Sequence, residues 1–121
     1  MVKKLILVIA TTLGLSSCGF SLASDCADTI KSEAKSPDGK YIVTLYERDC
    51  GATTDFSTIV NIRASSAKFN GEEGRVLIVK GQPEVLLAWK DNTRLQLECH
   101  DCRANDIFKQ EKSWKDVIVS Y

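Results

Sequence analysis

Beyond the N-terminus, apolar residues fall in short runs punctuated by Gly, Pro, Asn and Asp, and no stretch sustains a 3.6-residue period. The clearest run, 41–48, is rich in Tyr, Ile, Val and Thr and predicts a strand. It follows Ser36-Pro37-Asp38-Gly39, which places Pro second and Gly fourth as a type I turn prefers. A second strand is predicted over 57–63, where Val60 and Ile62 share a face. The polar stretch 64–74 holds Asn70-Gly71, a hairpin-compatible turn. Residues 75–80 and 84–89 flank Gly81-Gln82-Pro83, and their apolar runs lack alternation, which predicts strands covered on both faces. Residues 89–93 turn into an alternating strand through Leu95, Leu97 and Cys99, a second hairpin. A weaker strand at 107–111 and the alternation of Val117, Val119 and Tyr121 complete about seven strands, with one helical turn expected near 27–33. The expected fold is all-β: a small single-domain antiparallel sandwich or partly open barrel.

The N-terminus follows another logic. Lys3 and Lys4 precede an apolar run at 5–15, far shorter than the roughly 18 to 20 residues that span a bilayer. This is the order of a secretory leader that is removed. Its end, Leu15-Ser16-Ser17-Cys18, resembles the lipobox of bacterial lipoproteins, a branched apolar residue and two small ones before a Cys. The resemblance implies cleavage before Cys18 and a covalent lipid on its thiol, the only prosthetic group expected. It implies anchoring in the cell envelope, and Gly19, where inner-membrane retention usually has Asp, points to the outer membrane. An ordinary cut after Ala23, at Ser21-Leu22-Ala23, is the rival and would yield a soluble periplasmic or secreted protein. The expected organisation is a leader at 1–17, a lipidated tether at 18–25 and one β domain at 26–121.

Charge then narrows the partners. The chain carries 16 basic and 16 acidic side chains, and losing Lys3 and Lys4 with the leader leaves 14 against 16, a net charge of −2. Well-mixed charge of this size provides no electrostatic footprint for nucleic acid. The expected partners are the membrane, through the anchor, and an envelope protein.

Apart from Cys18, an exported chain with Cys26, Cys50, Cys99 and Cys102 reads as carrying two disulfides. Three connectivities are open; the economical one joins Cys26 to Cys50 and Cys99 to Cys102. The first bridge would tie the polar segment 25–35, whose one large apolar residue is Ile30, onto the sheet. Cys99-His100-Asp101-Cys102 is also a C-x-x-C. Redox enzymes set such a pair at a helix N-terminus, where the dipole lowers the thiol pKa, whereas this one follows a strand pattern. A structural turn bridge is the favoured reading. A thiol-disulfide redox protein using Cys99 and Cys102 is the alternative, and no metal site is expected: thiolates bind metal only where they stay reduced.

From Cys26 through Ile62, the SPDG turn, the strand after it and Arg48-Asp49-Cys50-Gly51-Ala52-Thr53-Thr54 with Phe56-Ser57-Thr58 resemble a set of short bacterial proteins that share these features. The likeness continues more loosely through residues 85–89 and 117–121. It implies a small β domain with a Cys26–Cys50 bridge, and it carries no activity. Cys99-His100-Asp101-Cys102 departs from the shared pattern. The SPDG turn and its strand are also similar to one β-propeller repeat, but a single copy excludes a propeller.

The functional expectation is a binding module in the envelope. Its candidate surface is the loop bearing Arg48, Asp49, Thr53, Thr54, Asp55 and Phe56, since loops on rigid β scaffolds commonly carry recognition. The competing view is that these side chains only shape the turn through local hydrogen bonds. An inhibitor or immunity-type protein is a subclass of the binding reading. No G-x-S-x-G, H-E-x-x-H or P-loop pattern is present, and His100, the sole histidine, has no partners selected by spacing; no catalytic residue is expected.

Overall fold

In the computed structural model, the residues described are 26–51 and 53–121, so the leader, Cys18 and the tether at 18–25 lie outside them. Nine strands follow in order: β1 (Ala27–Lys35), β2 (Tyr41–Asp49), β3 (Ser57–Ala64), β4 (Arg75–Lys80), β5 (Val85–Trp89), β6 (Arg94–Cys99), β7 (Ile107–Gln110), β8 (Ser113–Trp114) and β9 (Val117–Ser120), with a 3₁₀ turn at Ala104–Asp106 before β7. They form a five-stranded sheet in the order β1-β2-β3-β4-β7 and a four-stranded sheet in the order β5-β6-β9-β8. The two sheets make an all-β sandwich rather than a closed barrel. Every pair is antiparallel except β6 with β9, because the chain detours through β7 in the other sheet before returning beside β6.

The core lies between the sheets. Val43, Val60, Ile62, Leu77 and Val79 of the larger sheet meet Val85, Leu95, Leu97, Val117 and Val119 of the smaller, all nearly or fully buried. Each such side chain contributes roughly 1.5–3 kcal/mol by leaving water. Ser36-Pro37-Asp38-Gly39 forms the expected turn, and it closes a hairpin between β1 and β2. Gly39 N–H donates to the Ser36 carbonyl (2.8 Å), and the buried Ser36 hydroxyl links the Asp38 carboxylate (2.8 Å) to the Tyr41 amide (3.0 Å). At the other end of that hairpin the Cys26–Cys50 disulfide prolongs the ladder one step beyond the pair Ala27–Asp49.

Three expectations change. Residues 27–33 form no helical turn: they belong to β1, which pairs with β2 along its whole length. The segment has no apolar stripe because it is an edge strand exposed almost throughout, with Ile30 half-exposed. β5 is not covered on both faces, since Leu86 is 43% exposed and Ala88 is exposed on the bare outer side of the smaller sheet. β4, by contrast, buries Val76, Leu77 and Val79 and half-buries Ile78. Finally, Asn70-Gly71 does not form a tight hairpin between β3 and β4.

Instead, residues 65–74 fold over the outer face of the larger sheet and bury Tyr46 there, beside its buried cross-strand neighbour Ile59. Phe69 stands edge-on to Tyr46 at 5.0 Å, the Tyr46 hydroxyl donates to the Gly71 carbonyl (2.7 Å), and Asn61 Nδ2 donates to the carbonyls of Asn70 (3.0 Å) and Glu73 (3.1 Å). Glycine at position 71 leaves room for the Asp28–Arg48 pair: a Cβ there would meet the Asp28 carboxylate and the Arg48 guanidinium, and both side chains would have to shift.

Candidate functional site

Strand direction gathers three loops at one end of the sandwich. β2 runs out at Asp49 and β3 departs from Ser57, which lies opposite Lys80 at the end of β4; β5 starts at Val85 opposite Cys99. Residues 50, 51, 53–56, 81–84 and 100–106 therefore converge, together with Cys26, the first residue described. Direct bonds join them: Gly81 N–H to the Phe56 carbonyl (2.6 Å), the Thr58 hydroxyl to the Gly81 carbonyl (2.7 Å), and His100 N–H to the Glu84 carbonyl (2.8 Å). Both disulfides sit at this end.

The candidate loop residues divide in their roles. Arg48 leaves the group: it lies two positions from Tyr46 and shares the outer face of the larger sheet. Its guanidinium grips the Asp28 carboxylate with two bonds (2.8 and 2.9 Å) and reaches Glu72 at 2.7 Å. Those bonds to Asp28, ahead of the Glu72 contact, push its already high pKa further up. Asp49 accepts from Gly51 N–H (3.0 Å), and the Thr54 hydroxyl and amide both donate to the Gly51 carbonyl (3.0 and 3.1 Å), so these two side chains shape the turn. Asp55 pairs with Lys80 at 3.3 Å. Thr53 and Phe56 are exposed. Thr54, Asp55 and Phe56 line a shallow depression whose other side is Lys80, Gln82 and Asp106. Gln82 and Asp106 carried no sequence signal, since Gly81-Gln82-Pro83 reads only as a break between strands.

Cys99 and Cys102 are bonded to each other across a turn in which Asp101 adopts a positive φ of 63°, a conformation that aspartate tolerates better than most residues. Cys99 ends β6 and Cys102 precedes a single 3₁₀ turn, so no helix dipole is aimed at either sulfur. His100 is exposed, with Nδ1 3.2 Å from Glu84 and Nε2 3.9 Å from Glu98. Among the described residues, no three His, Cys, Asp or Glu side chains converge as metal ligands. Charge at this end is mostly acidic: Asp49, Asp55, Glu84, Glu98, Asp101 and Asp106 outnumber Lys80 and Arg103.

Compared with protein-family models, with curated proteins and with solved structures, the chain matches none.

Proposed function

We propose that this chain is a lipid-anchored protein of the bacterial envelope whose β domain is a binding module, offering the loop after β2 and the adjoining residues 81–84 to a protein partner. The observation that carries the reading is a loop with a fixed backbone and free side chains. The Cys26–Cys50 bridge and the bonds of Asp49, Thr54 and Phe56 hold the main chain, while Thr53 and Phe56 remain exposed. Such pre-organisation lowers the entropy lost on binding. The acidic surroundings suit a neutral or basic protein surface and oppose flat contact with anionic lipid headgroups.

The test is crosslinking in intact envelopes with the full-length chain. Replacing Thr53 and Phe56, the exposed side chains that take no part in holding the backbone, together by Ala should abolish the crosslinked product while thermal melting stays nearly unchanged, because exposed substitutions usually cost within about 0.5 kcal/mol each. Crosslinking that survives the substitutions, or a fold that collapses with them, would assign the loop to turn formation alone.

A further inference from the structure

The two long edges of the sandwich are defended unequally. β1, at the edge of the larger sheet, carries a bulge between Ile30 and Ser32 and the charges Asp28, Lys31, Glu33 and Lys35, the devices that discourage strands from adding to an edge. β5, at the edge of the smaller sheet, reads Val85-Leu86-Leu87-Ala88-Trp89, with no charge, proline or bulge. The phase of its hydrogen bonds follows from its two ends. His100 N–H donates to the Glu84 carbonyl and Lys90 N–H to the Arg94 carbonyl, so residues 84, 86, 88 and 90 face β6. Alternation then aims the N–H and C=O groups of Val85, Leu87 and Trp89 at the open edge.

Beside that edge the larger sheet forms a shelf. Trp89 closes one end of the seam, stacking at 6.5 Å from Tyr41 and donating its indole N–H to the Ala34 carbonyl (3.0 Å). Further along β1, Thr29 and Ser32 are opposite Glu47 and Leu45, in the inward-facing register of Val43, yet both are exposed. The five-stranded sheet thus overhangs the four-stranded one beyond the Trp89–Ala34 contact, above a groove lined by Lys31, Leu45, Glu47, Gln82 and Val85, and β5 has no strand partner on that side among the described residues. A second folded copy approaching edge to edge would bring its own overhanging β1 into the same space; a lone extended segment would not.

We propose that the β5 edge and the inner face of β1 form a strand-addition groove that takes an extended peptide segment of a partner protein. The segment lies antiparallel to β5, with three alternate apolar residues turned to the shelf opposite Val85, Leu87 and Trp89. Glu84 and Lys90 bracket the strand, so the segment carries an acidic residue at its N-terminal end, opposite Lys90, and a basic one at its C-terminal end, opposite Glu84. This surface meets the one proposed above only at Glu84, and because the two are read by substitutions at different residues, each can fail without the other.

The probe is a fluorescent, end-blocked peptide, Asp-Val-Thr-Val-Thr-Val-Lys, titrated by anisotropy against the mature chain in detergent. Saturable binding is expected, weakened when the terminal charges are exchanged and lost when the central Val is N-methylated. Leu87→Pro removes an N–H that β6 does not use, so the fold should persist while affinity drops by about tenfold or more; Leu87→Ala, with similar loss of packing, should retain binding. No saturable binding, or equal binding by the N-methylated peptide, would overturn the proposal. So would a concentration-dependent dimer in sedimentation that Leu87→Pro dissolves, which would make a second copy the occupant. None of these results bears on the loop crosslinking, which reads different residues.

Discussion

The Tyr46 hydroxyl bonds the Gly71 carbonyl in a fully buried position, so Tyr46→Phe leaves that carbonyl with only the longer bond from Arg48 Nη2 (3.3 Å). The expected cost is about 1–2 kcal/mol, read from urea unfolding. Burial also raises the Tyr46 pKa far above the ordinary phenol value. Tyr121 follows the same rule near the surface. Its hydroxyl donates to the Glu111 carbonyl (2.7 Å) and lies 3.2 Å from the Val76 carbonyl, and burial, reinforced by the Glu111 charge, pushes its pKa from 10.0 up to about 12. The neutral phenol is the form the fold prefers. Its stabilising effect is complete below about pH 10, the unfolded value, and disappears as pH rises through 12. Unfolding midpoints measured across that window should fall more steeply for the wild type than for Tyr121→Phe, although the variant starts lower. Arg48 shows what residue-level reading can recover: counting by twos from Tyr46 already places it on the outer face, away from the loop it follows in sequence.

β1 and β5 show why some elements were legible and others were not. Strands at 41–48, 57–63 and 75–80 announced themselves because at least one of their faces is buried, and burial demands apolar residues at strand spacing. β1 buries almost nothing; its extended form comes from pairing with β2 and from the covalent link at Cys26, neither of which leaves a local pattern. β8, with two residues, is too short for any period. The position of β5 at a sheet edge is a property of the topology and cannot be read from Val85-Leu86-Leu87-Ala88-Trp89 itself. If the disulfide holds β1 in place, replacing Cys26 and Cys50 together by Ser should lower stability by about 3.5 kcal/mol on the chain-entropy model for the 24-residue separation. Hydrogen exchange should quicken first in β1 amides and leave β3 and β4 protected.

At the scale of the whole molecule, the all-β class, the two-layer packing and the paired cysteines agree with what patterning predicts, because alternation and turn chemistry are local signals of an all-β chain; the nine strands exceed the expected seven by β1 and β8. The assembly of residues 50, 51, 53–56, 81–84 and 100–106 into one end was not legible, since it depends on which strands pair. Anchoring is a proposal that rests on the leader. Labelled palmitate should enter the wild type and not Cys18→Ala; a soluble mature form beginning at Ser24 would replace the lipoprotein reading with an ordinary cleaved signal.

The loop after β2 and Cys26 occupy the same end of the sandwich. With Cys18 lipidated, residues 18–25 could extend at most about 3.3–3.6 Å each, so that end would stand less than about 30 Å above the bilayer and look back toward it. The tether would then act as a ruler. Whatever the loop holds would have to be thin enough to enter that gap or rooted in the same membrane, so the height of the domain would select partners before any side chain touches them. Lengthening the tether would widen the choice, and shortening it would close the gap.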